Sequence, residues 1–277
     1  MEVSSVCRNF IDRANRRDWR NAVLNLNGLN MYEMLRSLKA LDTSDIASLR
    51  TALAALGGAV NVPRIEYALT VVVSRTIPKT APGDLQATGQ VTDARNFQAR
   101  PTSILVELIP KARITNYNVG VSSASNATMK ARFGAPRSTY SQTCQAVTNA
   151  ALARRIVTRN VGPFQVTGLD SAVTSLTSIM TSISTDQRLV RRVLGTAGMH
   201  CARYVRGSTT NISNHSWGTA IDLTVDGILD ARGDDRIQFG LHLISTIFNT
   251  NGWYWGAGFP TEDAQHFEAG SALVQGW

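Results

Sequence analysis

The sequence predicts an α+β protein in which a small helical domain precedes a larger domain of mixed helices and strands. Three observations carry this. Apolar residues recur at helical spacing through residues 1–76. Residues 77–101 hold Pro, Gly, Thr, Gln and Asp with no apolar periodicity and read as a linker. Beyond them, in residues 102–277, segments of period two alternate with segments of period 3.6. The 277 residues, at roughly 100–200 per domain, accommodate two modest domains. With 43% hydrophobic and 17% charged residues, the chain can bury a core and is not of disordered composition.

In the first domain, Val6, Phe10, Ile11, Ala14, Ala22 and Val23 predict one helix from Ser5 to Leu26, stopped at Asn27-Gly28. Asn30, three residues before Glu33, fits a capping box opening a second helix with the stripe Met31, Met34, Leu35, Leu38 and Leu41. A third helix starts after Asp42 or Thr43, carries Ile46, Leu49, Leu53 and Leu56, and ends at Gly57-Gly58. Pro63 suits the first turn of a fourth, through Ile65, Leu69 and Val72, although its TVVV run is β-branched. The Met and Leu stripes read as core, with a partner-binding groove as the other reading.

In the second domain, ILVELI (104–109) reads as a strand and 140–159 as a helix. Val166-Thr167-Gly168 reads as short and extended, and 170–183 as a helix. AIDLTVDG (220–227) and QHFE (265–268) alternate and read as strands, with a helix over Ile237–Asn249 between them.

Charge is uneven. The net charge is +8, yet residues 101–206 carry 13 basic and 3 acidic residues, and residues 207–277 carry 2 basic and 8 acidic ones. The basic balance suggests an anionic partner such as nucleic acid, lipid headgroups or cell-wall polymer. No basic run has interleaved aromatics, which argues against nucleic acid. The acidic C-terminal quarter suits a cation. Apolar stretches stay short, as around Leu69–Val73, so no membrane span is expected. The N-terminus lacks a basic-then-apolar signal peptide, so a chain acting outside the cytoplasm would need another route of release or delivery. Cys7, Cys144 and Cys201 are widely spaced without a CxxC pair. They read as reduced thiols, with a Cys144–Cys201 disulfide after export as the alternative.

Two segments carry the chemistry: Ser213 to Asp222, and Glu262 to Glu268. On a strand, Ala220, Asp222 and Thr224 share one face, opposite the apolar Ile221, Leu223 and Val225. A turn at Gly218 can fold His215 back beside Asp222. His266 and Glu268 share a face opposite Phe267. If the two strands are sheet neighbours, His215, Asp222 and His266 converge as two imidazoles and a carboxylate, a set that suits catalytic zinc with a fourth position open. The string alone also reads as an ordinary turn and strand, and spacing does not reveal a substrate.

The pattern Ser213-x-His215-x-x-Gly218-x-Ala220-x-Asp222, followed by Asp263-x-x-His266, resembles the signature of the VanY-type zinc peptidases. That family comprises D-alanyl-D-alanine carboxypeptidases and L-alanyl-D-glutamate endopeptidases of peptidoglycan, and shares its fold with the hedgehog signalling domain. GPFQVTGLDSA (162–172), Arg206-Gly207-Ser208 and Gly252-Trp253-Tyr254-Trp255-Gly256 add to the likeness, which spans residues 125–277. Residues 1–100 carry no motif that names a family.

The resemblance implies a hedgehog/DD-peptidase-like domain, with a small antiparallel sheet and flanking helices, holding Zn2+ on His215, Asp222 and His266. It implies Asp263 as general base, with Glu262 as competitor. An Asp here leans towards the endopeptidase branch. It implies Arg206 as the residue that binds substrate carboxylate or polarises the scissile carbonyl, with Arg203 as the alternative. Ser213 falls at the edge of the site, as a substrate contact or as a turn-stabilising hydroxyl. Trp255, with Trp253 and Tyr254, either lines a cleft for the stem peptide or packs in the core. Glu268 is placed to orient His266. His200 and His242 read as structural or exposed. Asp226, Asp230, Asp234 and Asp235 form a Gly-containing loop without EF-hand spacing, read as a solvated turn. Arg232-Gly233-Asp234 reads as a chance tripeptide.

The function implied is hydrolysis of peptidoglycan stem peptides, with L-alanyl-D-glutamate endopeptidase favoured over D-alanyl-D-alanine carboxypeptidase. The roles implied are those of an endolysin or an antibacterial effector. The protein would be made in the cytoplasm and act at the cell wall or periplasm. The N-terminal domain would bind wall polymer or engage a phage lysis or secretion-machine partner. A non-catalytic zinc-containing binding module is the reading from another class.

Overall fold

The computed structural model describes residues 3–75 and 102–277, so the expected linker at 77–101 lies outside the described residues. The chain divides into two compact units, Met1–Leu108 and Ile109–Trp277.

The first unit contains helices α1 (Ser5–Asn15), α2 (Trp19–Asn27), α3 (Met31–Lys39), α4 (Thr43–Leu56) and α5 (Val62–Ser74). Each start carries a side-chain cap: Ser4, Asp18, Asn30, Asp42 and Asn61 accept backbone N–H groups from Cys7, Asn21, Glu33, Asp45 and Arg64. The single helix expected over 5–26 is two. Arg17 takes a left-handed φ of 59°, and the Asp18 carboxylate opens a fresh helix. Apolar spacing alone does not register this break, because both helices bury the same kind of face. Met31, Met34, Leu35 and Leu38 are fully buried, so the stripes are core, not a groove. Burying each such side chain is worth about 1.5–3 kcal/mol. Residues 102–107, assigned by sequence to the second domain, belong to this unit. The buried Arg36 pairs with Glu107 and donates to the Thr102 and Ser103 carbonyls. ILVELI is not one strand either: Ile104–Val106 form a 3-10 turn ahead of the short β1 (Leu108–Pro110).

The second unit is built on a four-stranded antiparallel sheet. In chain order the unit continues with α6 (Asn126–Phe133), α7 (Ala150–Ala153), β2 (Ile156–Asn160), β3 (Gln165–Leu169), α8 (Asp170–Asp186) and α9 (Arg188–Val193). Then come β4 (Leu194–Gly198), β5 (Ala220–Val225), β6 (Arg236–Gln238), α10 (Phe239–Thr250), β7 (Trp253–Trp255), β8 (His266–Ala269) and α11 (Ser271–Gln275). The central sheet has order β4-β5-β8-β7. The α+β class and the small antiparallel sheet are those the sequence predicts.

The apolar face of this sheet packs on α10 and, behind it, α8. Phe248 stacks on Phe267 with centroids 4.1 Å apart. Ile221, Leu223, Val225, Trp253 and Trp255 are fully buried. The polar face of β5 and β8 is thereby turned the other way. The helix expected over 140–159 is mostly irregular. Asn149 caps only the short α7, and the β-branched Ile156-Val157-Thr158 run pairs with β3. β4 and β7 were not anticipated. β4 is glycine-rich, and β7 is too short to show alternation.

Cys144 and Cys201 form a disulfide and Cys7 is a buried free thiol, which replaces the reading of three reduced cysteines. Burial pushes the Cys7 thiol up to about 12, so it is not reactive. Breaking the Cys144–Cys201 link, by Cys144→Ser or by reductant, is expected to destabilise the second unit by about 2–4 kcal/mol. Denaturant unfolding with and without reductant measures this, and an unchanged midpoint would contradict the bond.

Candidate metal centre

The centre begins with one pairing. In the register of β5 and β8, Asp222 lies directly opposite His266 and Ala220 opposite Glu268. Cross-strand partners on one face stand about 4.5–5.5 Å apart at Cβ, so this register alone puts a carboxylate beside an imidazole. The third member arrives through a turn. Asn214–Trp217 form a 3-10 turn closed by Gly218 at φ 68°. A Cβ at Gly218 would lie 2.7 Å from the Leu169 amide nitrogen and 2.8 Å from Gly168 Cα, so only glycine allows this approach. The Leu169 amide donates to the Gly218 carbonyl at 2.9 Å and fixes the turn, which returns His215 to the strand.

His215 Nε2 lies 3.2 Å from Asp222 Oδ1 and 3.2 Å from His266 Nδ1, and His266 Nδ1 lies 3.1 Å from Asp222 Oδ1. Ligand atoms about 2.0–2.1 Å from a tetrahedral zinc stand about 3.3–3.4 Å apart, so the spacing fits that ion.

The hydrogen-bond partners behind the rings assign the protons. His215 Nδ1 sits 2.9 Å from the Met199 carbonyl, which can only accept, so Nδ1 carries the hydrogen and Nε2 presents a lone pair. His266 Nε2 donates to Glu268 Oε2 at 2.9 Å, and Glu268 is held in turn by the Ser123 hydroxyl. A neutral His266 therefore presents a lone pair at Nδ1. Three acceptor atoms then face one another, an arrangement that requires a positive charge among them. Without a metal, a proton supplies it. Burial opposes charging His266, but its hydrogen bonds with Asp222 and Glu268 prevail and raise its pKa to about 10. Burial likewise opposes charge on Asp222, yet His215 and His266 hold it well below the usual carboxylate range. The donor set of a carboxylate and two imidazoles, each ring backed by a hydrogen bond from its other nitrogen, fits zinc.

The trio lies on the wall of a cleft of about 640 Å³ that is also lined by Asp263, Arg203, Arg206, Arg232 and Ser213. Asp263 precedes His266 in a turn closed by its carbonyl and the His266 amide. Gly256 makes room for that turn: a Cβ there would meet the Asp263 carbonyl at 2.4 Å. Asp263 Oδ2 pairs with Arg232 at 3.4 Å, while Oδ1 is buried with no hydrogen-bond partner. Burial raises its pKa; His266 and Arg232 pull it down, and Asp222 pushes it up. Glu262 does not line the cleft. It is 1% exposed, and its oxygens accept the Ala264 and Gly233 amides.

Arg203 is half-buried in the cleft wall. Burial lowers its pKa, and the nearby carboxylates of Asp222 and Asp263 act against that. Arg206 is exposed at the rim. Ser213 is buried and holds its turn through the backbone, its amide on the Arg203 carbonyl.

Trp255 must be reassigned. It is fully buried, stacks on Phe267, and donates from Nε1 to the Ala264 carbonyl at 2.7 Å, so it is a core residue and not a substrate contact. Trp253 is buried too. Neither His200 nor His242 joins the trio. Arg232, dismissed in sequence as part of a chance tripeptide, enters the cleft. Nothing local marks it; only the return of its loop beside Asp263 does.

Residues 206–269, less than a quarter of the chain, match a peptidase family model described as D-alanyl-D-alanine carboxypeptidase. The matched segment contains His215, Asp222, Asp263 and His266. It supports a metallopeptidase of the VanY-type superfamily without choosing a subtype. No curated protein and no solved structure matches the chain.

Because the lone pair at His266 Nδ1 is protonated below about pH 10, zinc uptake at pH 7–8 must displace that proton. Calorimetric titration of the metal-free protein in buffers of different ionisation enthalpy is expected to show about one proton released per zinc bound. Uptake without proton release would contradict the assignment.

Proposed function

We propose that the second unit is a zinc-dependent peptidase that hydrolyses peptidoglycan stem peptides. The observation that carries this reading is the convergence of His215, Asp222 and His266 at 3.1–3.2 Å on the wall of a cleft that also holds a carboxylate and arginines.

Zinc bound by the trio would supply Lewis-acid polarisation of the scissile carbonyl and lower the pKa of an attacking water. The other tasks fall to this chain's own groups. The Asp263 carboxylate, which lines the cleft, accepts the proton of that water and passes it to the leaving amine. Arg232, on Oδ2, holds Asp263 in place and favours its charged form. Arg203, close enough to feel both Asp222 and Asp263, stabilises the developing oxyanion, and Arg206 at the rim takes a substrate carboxylate. Glu268 orients the His266 ring through Nε2. Ser213 contributes to the shape of the cleft edge.

The favoured bond is L-alanyl-D-glutamate, from the resemblance carried by Asp263. The description of the matched family favours D-alanyl-D-alanine cleavage as the second reading. The corresponding roles are those of an endolysin or an antibacterial effector acting at the wall. The helical unit would serve as a wall-binding or delivery module.

Mass spectrometry of purified sacculi digested by the zinc-loaded protein tests this. New D-glutamate amines support the endopeptidase, and free D-alanine alone supports the carboxypeptidase. No cleavage of any wall substrate, with zinc bound, would leave a binding module.

Asp263→Asn is expected to keep its zinc and to lose about 10²–10⁴-fold in turnover. Near wild-type turnover in that variant would remove Asp263 from the base role.

A further inference from the structure

The acidic loop that follows β5 is the solvated turn expected of it at Asp234 and Asp235, which are exposed, but not at Asp230. Asp230 is 4% exposed. Its Oδ2 accepts the Gln238 backbone amide at 2.6 Å, while Oδ1 is buried with no hydrogen-bond partner. One carboxylate oxygen each from Asp230, Asp234 and Glu262 lie within 4.8 Å of one another. Glu262 is 1% exposed and comes from the distant segment that carries Asp263. Gln238, 2% exposed, adds a second buried oxygen without a partner, Oε1, on the residue whose amide holds Asp230. Among the described residues no Lys, Arg or His forms an ion pair with these three carboxylates, and the nearby Arg232 is turned to Asp263.

Two buried carboxylates packed against a third, without a cationic side chain, are unstable as bare anions. Either a proton is shared within the cluster or a cation sits in it. The buried, unpartnered Asp230 Oδ1 favours the cation, since a shared proton would give that oxygen a hydrogen bond.

We propose that Asp230, Asp234 and Glu262 form a second metal site, distinct from the zinc centre, that takes a hard divalent cation of the calcium class. All three donors are oxygens, with neither imidazole nor thiolate, which disfavours zinc. Calcium takes six to eight oxygens in flexible geometry, and the exposed Asp234 leaves one side open for water to complete the shell. The cation joins the loop after β5 to the segment bearing Asp263. The Gly233 amide already donates to both the carbonyl and the side chain of Glu262 across that junction. The site thereby braces the cleft wall and sets a positive charge beside Asp263. Only this last consequence rests on the peptidase reading; cation binding does not.

The test is calorimetry and thermal unfolding of the zinc-loaded full chain in chelator-treated buffer, with CaCl2 and MgCl2 titrated separately and no substrate present. One calcium per chain beyond the zinc is expected, with Kd of about 10⁻⁵–10⁻³ M, weaker magnesium binding and a raised Tm. Asp230→Asn is expected to abolish calcium binding, and Asp234→Asn, at an exposed position that folding tolerates, to weaken it about tenfold or more, with zinc content unchanged in both. Absence of heat and of a Tm shift at about 10 mM calcium would overturn the proposal, as would calcium affinity unchanged in Asp234→Asn and Asp230→Asn.

Discussion

Three lone pairs that face one another require a positive charge between them, and the second unit is arranged around that requirement. His215 Nε2, His266 Nδ1 and Asp222 Oδ1 are brought within 3.2 Å, and each histidine has its other nitrogen committed elsewhere, to Met199 or to Glu268. No rotation of either ring relieves the contact without breaking a buried hydrogen bond. A proton on His266 or a bound metal ion meets that requirement, and the trio lines the cleft in which chemistry would occur.

The apolar half of the same strands makes this possible. Ile221, Leu223, Val225 and Phe267 are locked beneath α10, so β5 and β8 cannot slip by a residue without exposing them. The register that keeps Phe267 under Phe248 is the register that sets Asp222 opposite His266. Gly218 and Gly256 do the rest, letting two turns approach backbone at distances that any side chain would forbid. The negative balance of the C-terminal quarter is thus concentrated in two clusters, one around the trio and one around Asp230.

Much of this was legible in the sequence, for identifiable reasons. The period-two runs at 220–225 and 266–268 face one apolar side inward, so the shared polar face of Asp222 and of His266 with Glu268 could be read directly. The caps at Asn30 and Asp42 and the Pro63 start are local signals, carried by residues within one helical turn. What escaped was set by tertiary contact. Trp255 looks the same in sequence whether it lines a cleft or fills a core; its burial follows from Phe267 and Ala264, which the β7–β8 pairing folds back against it. Asp230 looks like one of several loop acids, and only the Gln238 amide shows that it is drawn inside. The break at Arg17 lies inside one continuous apolar stripe, so periodicity ran through it. Cys144 and Cys201 are 57 residues apart, and the pair emerges only when the loop before α7 runs back beside the segment after β4, the Gln145 amide donating to the Ala202 carbonyl.

X-ray absorption at the zinc edge of the purified, zinc-loaded protein addresses the metal centre most directly. A first shell of two imidazole nitrogens and carboxylate oxygen, with one further exchangeable light atom at about 2.0–2.2 Å, is the predicted result. A sulfur shell, or a zinc environment unchanged when His215 or His266 is replaced by alanine, would contradict it.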